Sequence, residues 1–333
     1  MTLRFAILGA GRIGKVHAKA ILAQPAASLV AVADAHAPSA DALAAICGAR
    51  VSTIDLILAD AAIDAVVICT PTDTHADLIE RFAKAGKAIF CEKPIDLNID
   101  RVKACLAVVQ ACKVALMVGF NRRFDPHFAA LRGEIDKGNI GAVEMAVITS
   151  RDPGAPPLDY IKRSGGIFRD MTVHDFDMAR FLLGEEIAEV SATAAVMVDQ
   201  AIGEAGDFDS VQVLLKTASG RQAVISNSRR ATYGYDQRIE VHGSKGAVFA
   251  HNQRPVSISL ATENGFTEPA LHDFFMTRYV EAYAAEIAAF VRAVAYKTAA
   301  SPSGDDGLAA LVLAEAALRS VNEKRTVQVS EFK

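Results

Sequence analysis

Leu3-Arg4-Phe5-Ala6-Ile7-Leu8, a nearly continuous apolar run, leads directly into Gly9-Ala10-Gly11-Arg12-Ile13-Gly14, after which 15–23 has helical composition. A buried strand, a glycine turn and a helix follow from that order. The first glycine permits a tight bend, the second lets the backbone approach a pyrophosphate, and the third lets the helix pack closely on the strand. A pyrophosphate held there rests on the backbone N–H groups that open the helix. A second strand-like run, 28–33, ends in Asp34, about 20 residues beyond the last glycine, where a carboxylate meets the hydroxyls of an adenine ribose. Together these features read as a dinucleotide site rather than as an ordinary strand-to-helix turn followed by a surface aspartate.

Outward from this turn, strands and helices alternate: helix over 39–46, strand 64–69, helix 74–85, strand 87–91, helix 98–112 and strand 114–119. Such alternation predicts a doubly wound parallel sheet, the α/β Rossmann arrangement. Ligands of these sheets gather beyond the carboxyl ends of the strands. The polar segments there are Thr70-Pro71-Thr72-Asp73-Thr74-His75, Glu92-Lys93-Pro94 and Asn121-Arg122-Arg123. Beyond 121 the pattern changes. A connecting helix is expected over 124–138, then strands over 143–149, 189–198, 210–217, 222–228, 238–242, 247–250 and 256–260. Ala218-Ser219-Gly220 and Gly243-Ser244-Lys245-Gly246 read as hairpin turns. Strands in succession predict an α+β domain with a large, mainly antiparallel sheet, closed by helices over 277–296 and 305–322. The expected division is 1–120 for the nucleotide and 121–333 for substrate and subunit association.

A chain of 333 residues can bury two cores, and 51% hydrophobic with 22% charged residues is the balance of a folded globular protein. The net charge of -4 and scattered basic pairs, Arg122-Arg123 and Arg229-Arg230, give no electrostatic footprint for nucleic acid. No apolar run approaches the roughly 20 residues that span a bilayer, and no basic segment with an apolar core precedes the first strand. A cytoplasmic protein without a signal peptide is therefore expected. The five cysteines are odd in number and lack CxxC spacing, which predicts neither a disulfide framework nor a metal site. Cys69 and Cys91, at the ends of apolar strands, read as small packing residues.

The chemistry centres on Gly165-Gly166-Ile167-Phe168-Arg169-Asp170-Met171-Thr172-Val173-His174-Asp175-Phe176-Asp177. A helix beginning near Asp170 sets Asp170, His174 and Asp177 along one face, and Phe181, Leu182 and Leu183 predict that it is buried. A histidine beside a carboxylate suits a general base with its orienting partner. The same residues also suit a helix cap and a hydrogen-bonded core histidine. Lys93, between a buried strand and Pro94, can hydrogen-bond a substrate hydroxyl or stand as a solvated cation.

Taken together, GAGRIG with His17, the run Thr70 to His75, Glu92-Lys93-Pro94 and GGIFRDMTVHDFDMARFLLG at 165–184 carry a resemblance. Over essentially its whole length the chain resembles the glucose-fructose oxidoreductase, inositol dehydrogenase and rhizopine-catabolism family of nicotinamide-dependent oxidoreductases. Through Gly119-Phe120-Asn121-Arg122-Arg123-Phe124-Asp125 and Ser150-Arg151-Asp152-Pro153 it is most similar to the inositol 2-dehydrogenases. The resemblance implies that Lys93, Asp170 and His174 are catalytic: His174 accepts the hydroxyl proton, Asp170 orients it and Lys93 supports the substrate oxygen. It implies that Gly9, Gly11, Arg12, Ile13, Asp34, Thr70, His75, Glu92 and Lys93 line the dinucleotide, and that Asn121, Arg122, Asp152 and Tyr235 meet substrate hydroxyls. Asp34 is followed by Ala35 and His36 with no arginine, so a 2′-phosphate meets uncompensated carboxylate charge and NAD is expected over NADP. The implied reaction is oxidation of a secondary ring hydroxyl of a cyclic polyol, myo-inositol to its 2-keto product, by a homotetramer. Scyllo-inositol or a pyranose sugar is the alternative substrate. An NAD-dependent glycosidase and a non-catalytic dinucleotide sensor are alternatives of other classes, the sensor disfavoured by the presence of Lys93, Asp170 and His174.

Overall fold

Leu3–Leu8, buried at all but one residue, forms β1 in a computed structural model that describes residues 2–332. It is followed by α1 (Arg12–Leu22), β2 (Ala27–Ala33), α2 (Ala37–Cys47), β3 (Arg50–Val51), α3 (Ile54–Ala59), β4 (Ala65–Ile68), α4 (His75–Lys84), β5 (Ala88–Cys91), α5 (Ile99–Cys112) and β6 (Leu116–Val118). The six strands pair in parallel in the order β3-β2-β1-β4-β5-β6. Every residue of β4 and β5 is buried, which is why they read as continuous apolar runs: parallel strands are covered on both faces. The winding reverses between β1 and β4, so their carboxyl ends border the crevice where ligands collect. The two residues of β3 are both exposed, too short and too polar for a sequence pattern to show.

The chain continues with α6 (Pro126–Asp136), β7 (Val143–Arg151), α7 (Leu158–Ser164), α8 (Val173–Leu183), β8 (Ile187–Ala195), α9 (Gln200–Glu204), β9 (Ser210–Thr217), β10 (Gln222–Ser228), β11 (Asp236–Gly243) and β12 (Gly246–Ala250). Then come β13 (Leu260–Thr262), β14 (Gly265–Thr267), α10 (Phe275–Arg278), α11 (Val280–Tyr296), α12 (Gly304–Glu323) and β15 (Val327–Gln328). Seven strands form a second sheet, β12-β11-β7-β10-β9-β8-β15, antiparallel except for the parallel pair β7–β10. Both expected hairpins are present, joining β9 to β10 and β11 to β12. The strand expected over 256–260 is not: 256–259 is irregular, and the separate pair β13–β14 follows. Its alternating Val256, Ile258 and Leu260 are all exposed, so the pattern there does not record burial within this chain.

Two compact units result, Met1–Asp125 with Val280–Leu311, and Pro126–Tyr279 with Val312–Lys333. The division expected at 120 is thus corrected: the segment carrying α11 belongs with the first sheet. Phe290 of α11 meets Phe5 and Phe90 edge to face, Tyr283 meets the His17 ring, and Gln24 Nε2 donates to the Ala284 carbonyl at 3.2 Å. Composition shows that 280–296 is helical with an apolar face, but not which of two cores that face covers. No helix among the described residues is long and apolar enough to cross a membrane.

Candidate active site

In the first unit the three glycines of the turn have three different reasons. Gly9 adopts φ +98°, and a Cβ there would stand 2.5 Å from the Cys69 carbonyl oxygen. At Gly14 a Cβ would run into the carbonyl of Gly9, so only glycine lets α1 come this close to β1. Around a Cβ at Gly11 nothing lies within 4 Å, which leaves the outer side of the turn open. Gly11 caps α1 with no side-chain hydrogen bond, and no acidic residue stands in the first turn. Uncapped N–H groups beside open space are what a pyrophosphate requires. Arg12 is exposed and Ile13 half-buried at the same helix start.

Asp34 follows β2 and accepts the Ala10 N–H at 2.5 Å and the His36 N–H at 2.7 Å, one on each oxygen. Each oxygen keeps a lone pair for a ribose hydroxyl. These features fit NAD, with the glycine turn for its pyrophosphate and Asp34 for its ribose.

Thr70, His75, Glu92 and Lys93 lie beyond β4 and β5. The His75 ring is clamped between the Pro94 carbonyl, 2.8 Å from Nδ1, and the Thr70 carbonyl, 2.7 Å from Nε2. It thereby ties the 70–75 turn to the segment carrying Lys93. Burial pushes the His75 pKa down, and the two carbonyls oppose that shift only in part. Thr70 and Thr74 hydroxyls are 2.6 Å apart. The Glu92 carboxylate accepts from His17 Nε2 at 2.6 Å, and a Cβ on Gly119 would stand 3.1 Å from it. That carboxylate is therefore fixed immediately before the half-buried Lys93. Asn121 and Arg122 are buried in the 3₁₀ turn Asn121–Phe124 beyond β6.

The second unit positions the remaining candidates. Asp170 lies in a π-helical turn, Phe168–Thr172, and α8 begins only at Val173, one residue before His174. The regular helix expected from Asp170 is thus displaced by a wider turn, a feature that recurs at functional sites. The turn is held from below. Asp175, fully buried, accepts the Ser150 hydroxyl at 2.6 Å and Asn227 Nδ2 at 2.8 Å, while Thr172 donates to Asn227 Oδ1 at 2.6 Å. Ser150 belongs to β7 and Asn227 to β10, so the parallel pair at the sheet centre anchors the turn. Asp170 Oδ1 accepts the Tyr160 hydroxyl at 2.8 Å, and its Oδ2 lies 3.6 Å from Arg229 Nη1.

Pairing of Arg151 with Asp236 sets Asp152 and Tyr235 at one end of β7 and β11. The Asp152 N–H donates to the Ser228 carbonyl at 2.9 Å, and the buried Tyr235 ring packs edge to face on Phe274 and Tyr279. The candidates therefore divide: the dinucleotide set with Asn121 and Arg122 in the first unit, and Asp152, Asp170, His174 and Tyr235 in the second. Tyr160 and Arg229 escaped the sequence reading. A signal for Arg229 existed: it continues the inward phase of Ala223, Ile225 and Asn227, and a charge on the buried phase of a strand demands a partner.

Comparison with known proteins finds relatives along both units. Residues 3–120 match the model of the oxidoreductase family with an NAD-binding Rossmann fold, and 128–249 match the GFO/IDH/MocA C-terminal domain. The chain is 71% identical to an inositol 2-dehydrogenase of Rhizobium meliloti over 330 residues, covering 99% of this chain and 100% of the relative. A myo-inositol dehydrogenase of Corynebacterium glutamicum superposes with a TM-score of 0.95 at 45% identity, over 98% of this chain and 99% of that one. A scyllo-inositol dehydrogenase of Lactobacillus casei, solved with NAD(H) and scyllo-inositol, superposes at 0.92 with 29% identity, over 99% of this chain and 100% of that one. The glycine turn, the Rossmann sheet and the mixed second sheet, with these matches across both units, place the chain in the GFO/IDH/MocA family of NAD-binding oxidoreductases.

Proposed function

We propose that this protein is an NAD-dependent inositol 2-dehydrogenase that converts myo-inositol to its 2-keto product. The observation that carries the reading is the full-length 71% identity to an inositol 2-dehydrogenase in a chain that has Lys93, Asp170 and His174. Bound NAD supplies the hydride acceptor, held by Gly9, Gly11, Arg12, Ile13, Asp34, Thr70, His75, Glu92 and Lys93. His174 takes the hydroxyl proton, Asp170 stabilises the imidazolium that forms, and the Lys93 ammonium hydrogen-bonds the substrate oxygen as it becomes a carbonyl. Asn121, Arg122, Asp152 and Tyr235 recognise the other hydroxyls. A site that bonds several hydroxyls rejects isomers strongly, because each missing bond leaves a buried group unpaired.

NADH absorbance with myo-inositol, its epimers and common pyranoses tests the assignment, with myo-inositol expected to give the largest kcat/KM. Lys93→Ala and His174→Ala are each expected to lose at least about 100-fold in kcat while still binding NADH, followed by fluorescence. Turnover close to that of the unmodified enzyme in either variant would reject the assigned roles. Scyllo-inositol is the second substrate reading, favoured by the likeness to the L. casei enzyme, and the same panel decides between them.

We also assign the protein to the cytoplasm and to a homotetramer. Five free cysteines suit a reducing compartment, and an uncovered apolar sheet face in the second unit suits subunit association.

A further inference from the structure

Arg229 is among the largest fully buried side chains of the described residues. Its guanidinium, 1% exposed, stands between two carboxylates of the second unit, with Nη1 3.6 Å from Asp170 Oδ2 and Nη2 3.6 Å from Asp207 Oδ2. Both separations exceed hydrogen-bond length, and Nε and Nη2 have no hydrogen-bond partner among the described residues. A guanidinium buried for structure alone is ordinarily saturated by its five donors. This one acts by charge.

Its two carboxylates have different tasks. Asp207 Oδ1 accepts the Ile167 N–H at 2.9 Å and so secures the entry to the π turn, and a Cβ on Gly166 would stand 2.6 Å from it. Asp170 lies at the less buried end, 13% exposed, with its other oxygen on Tyr160. The neighbouring Arg169 is turned to Glu315 and the Gly165 carbonyl. Two carboxylates and one guanidinium leave a single negative charge. That charge is what the imidazolium formed at His174 needs, whereas two carboxylates with no cation between them would repel each other and displace Asp170.

We propose that Arg229 is a positioning residue of the reaction: its charge holds the Asp170 carboxylate in place at the π turn that leads to His174, while the long ion pair leaves that carboxylate able to answer the charge that forms on the imidazole. The inference rests on the roles given above to Asp170 and His174.

A double-substitution cycle on the NAD-loaded enzyme tests it. Arg229→Gln is expected to lower kcat about 100-fold with little change in the KM for the polyol, and Arg229→Lys, which keeps the charge, to recover at least about tenfold of that loss. In the Asp170→Asn background Arg229→Gln is expected to lower kcat less than about threefold, since residues acting as a unit are not additive. Equal losses in both backgrounds, or a lysine variant no better than glutamine, would overturn the inference and leave the roles of Asp170 and His174 standing. Full turnover in Asp170→Asn alone would overturn those roles and the inference with them. If Arg229→Gln does not fold, Arg229→Lys carries the same cycle: a several-fold loss expected with Asp170 present, none once Asp170→Asn has removed the carboxylate charge.

Discussion

Glu286 sits on α11 with no exposed surface, and neither carboxyl oxygen has a hydrogen-bond partner among the described residues. Burial pushes its pKa well above the carboxylate range, and the charge of Glu92 pushes it further. Between the unfolded-state value, about 4.3, and its raised folded value, the folded protein holds a proton that the unfolded chain has released. Stability is therefore fully present below the unfolded pKa and declines as pH rises, by about 1.4 kcal/mol per unit, until the folded pKa is reached. Glu286→Gln is expected to remove this slope: its melting temperature relative to the unmodified protein should climb from pH 5 to pH 8, and a constant difference in melts across that range would refute it. Asp34 supports a second expectation. With its carboxylate fixed by Ala10 and His36, NAD should exceed NADP in kcat/KM, and Asp34→Ala should narrow the ratio by at least about tenfold. An initial-rate preference for NADP in the unmodified enzyme would contradict it. The position of Asp34 at the end of β2 was legible because its spacing from the glycines is set by local geometry. Glu286 was not, because a glutamate in an alanine-rich helix reads as solvated until the helix is known to be buried.

Among the elements, α8 and the π turn before it depend on contacts distant in sequence. The apolar pattern correctly marks a buried helix through Leu183, since helical periodicity is a local property. The π turn is instead fixed by Asn227 and Ser150 from β10 and β7, by Asp207 and by the left-handed glycines Gly165 and Gly166. No local pattern encodes those partners. Asn227→Ala is expected to lower stability by about 2–4 kcal/mol, because Asp175 and Thr172 each lose a buried bond. At roughly 2–4 °C per kcal/mol, calorimetry should show a large fall in melting temperature, with kcat reduced as the turn loosens. A melting temperature unchanged within a degree or two would mean that the turn is held by something else. The cysteines show the opposite case, where local reading sufficed: burial pushes the Cys69 and Cys91 thiols well above their ordinary range and Cys105 to about 12, as inert packing residues require.

For the molecule as a whole, the two-domain plan and the sheet types were readable from the order of strands and helices, while the return of 280–311 to the first unit was not. Nor could the imperfect alternation of β9 and β10 show which sheet face stays open. The register resolves this. Leu214 pairs with Val224, Val224 with Val147, Val147 with Glu240 and Glu240 with Phe249, a single row across β9, β10, β7, β11 and β12. Its four apolar members are 40–52% exposed, whereas Val213, Ile225 and Ile148, on the opposite face that α8 packs against, are buried. Leu214, Val224 and Val147 are three contiguous apolar members of that row, interrupted by Glu240 before Phe249, and they are the surface through which the proposed homotetramer is expected to associate, with polar neighbours such as Gln212, Lys216 and Gln222 as its rim. Leu214→Arg combined with Val224→Arg places two like charges side by side on that face. Because both positions face outward, the protomer should keep its fold, with a circular dichroism spectrum like that of the unmodified chain. Light scattering after gel filtration should then show the assembly reduced to dimers or monomers, since each copy would have to bury an unpaired charge pair at the contact. An undiminished tetramer would mean that subunits associate through another surface, and that this row stays in water.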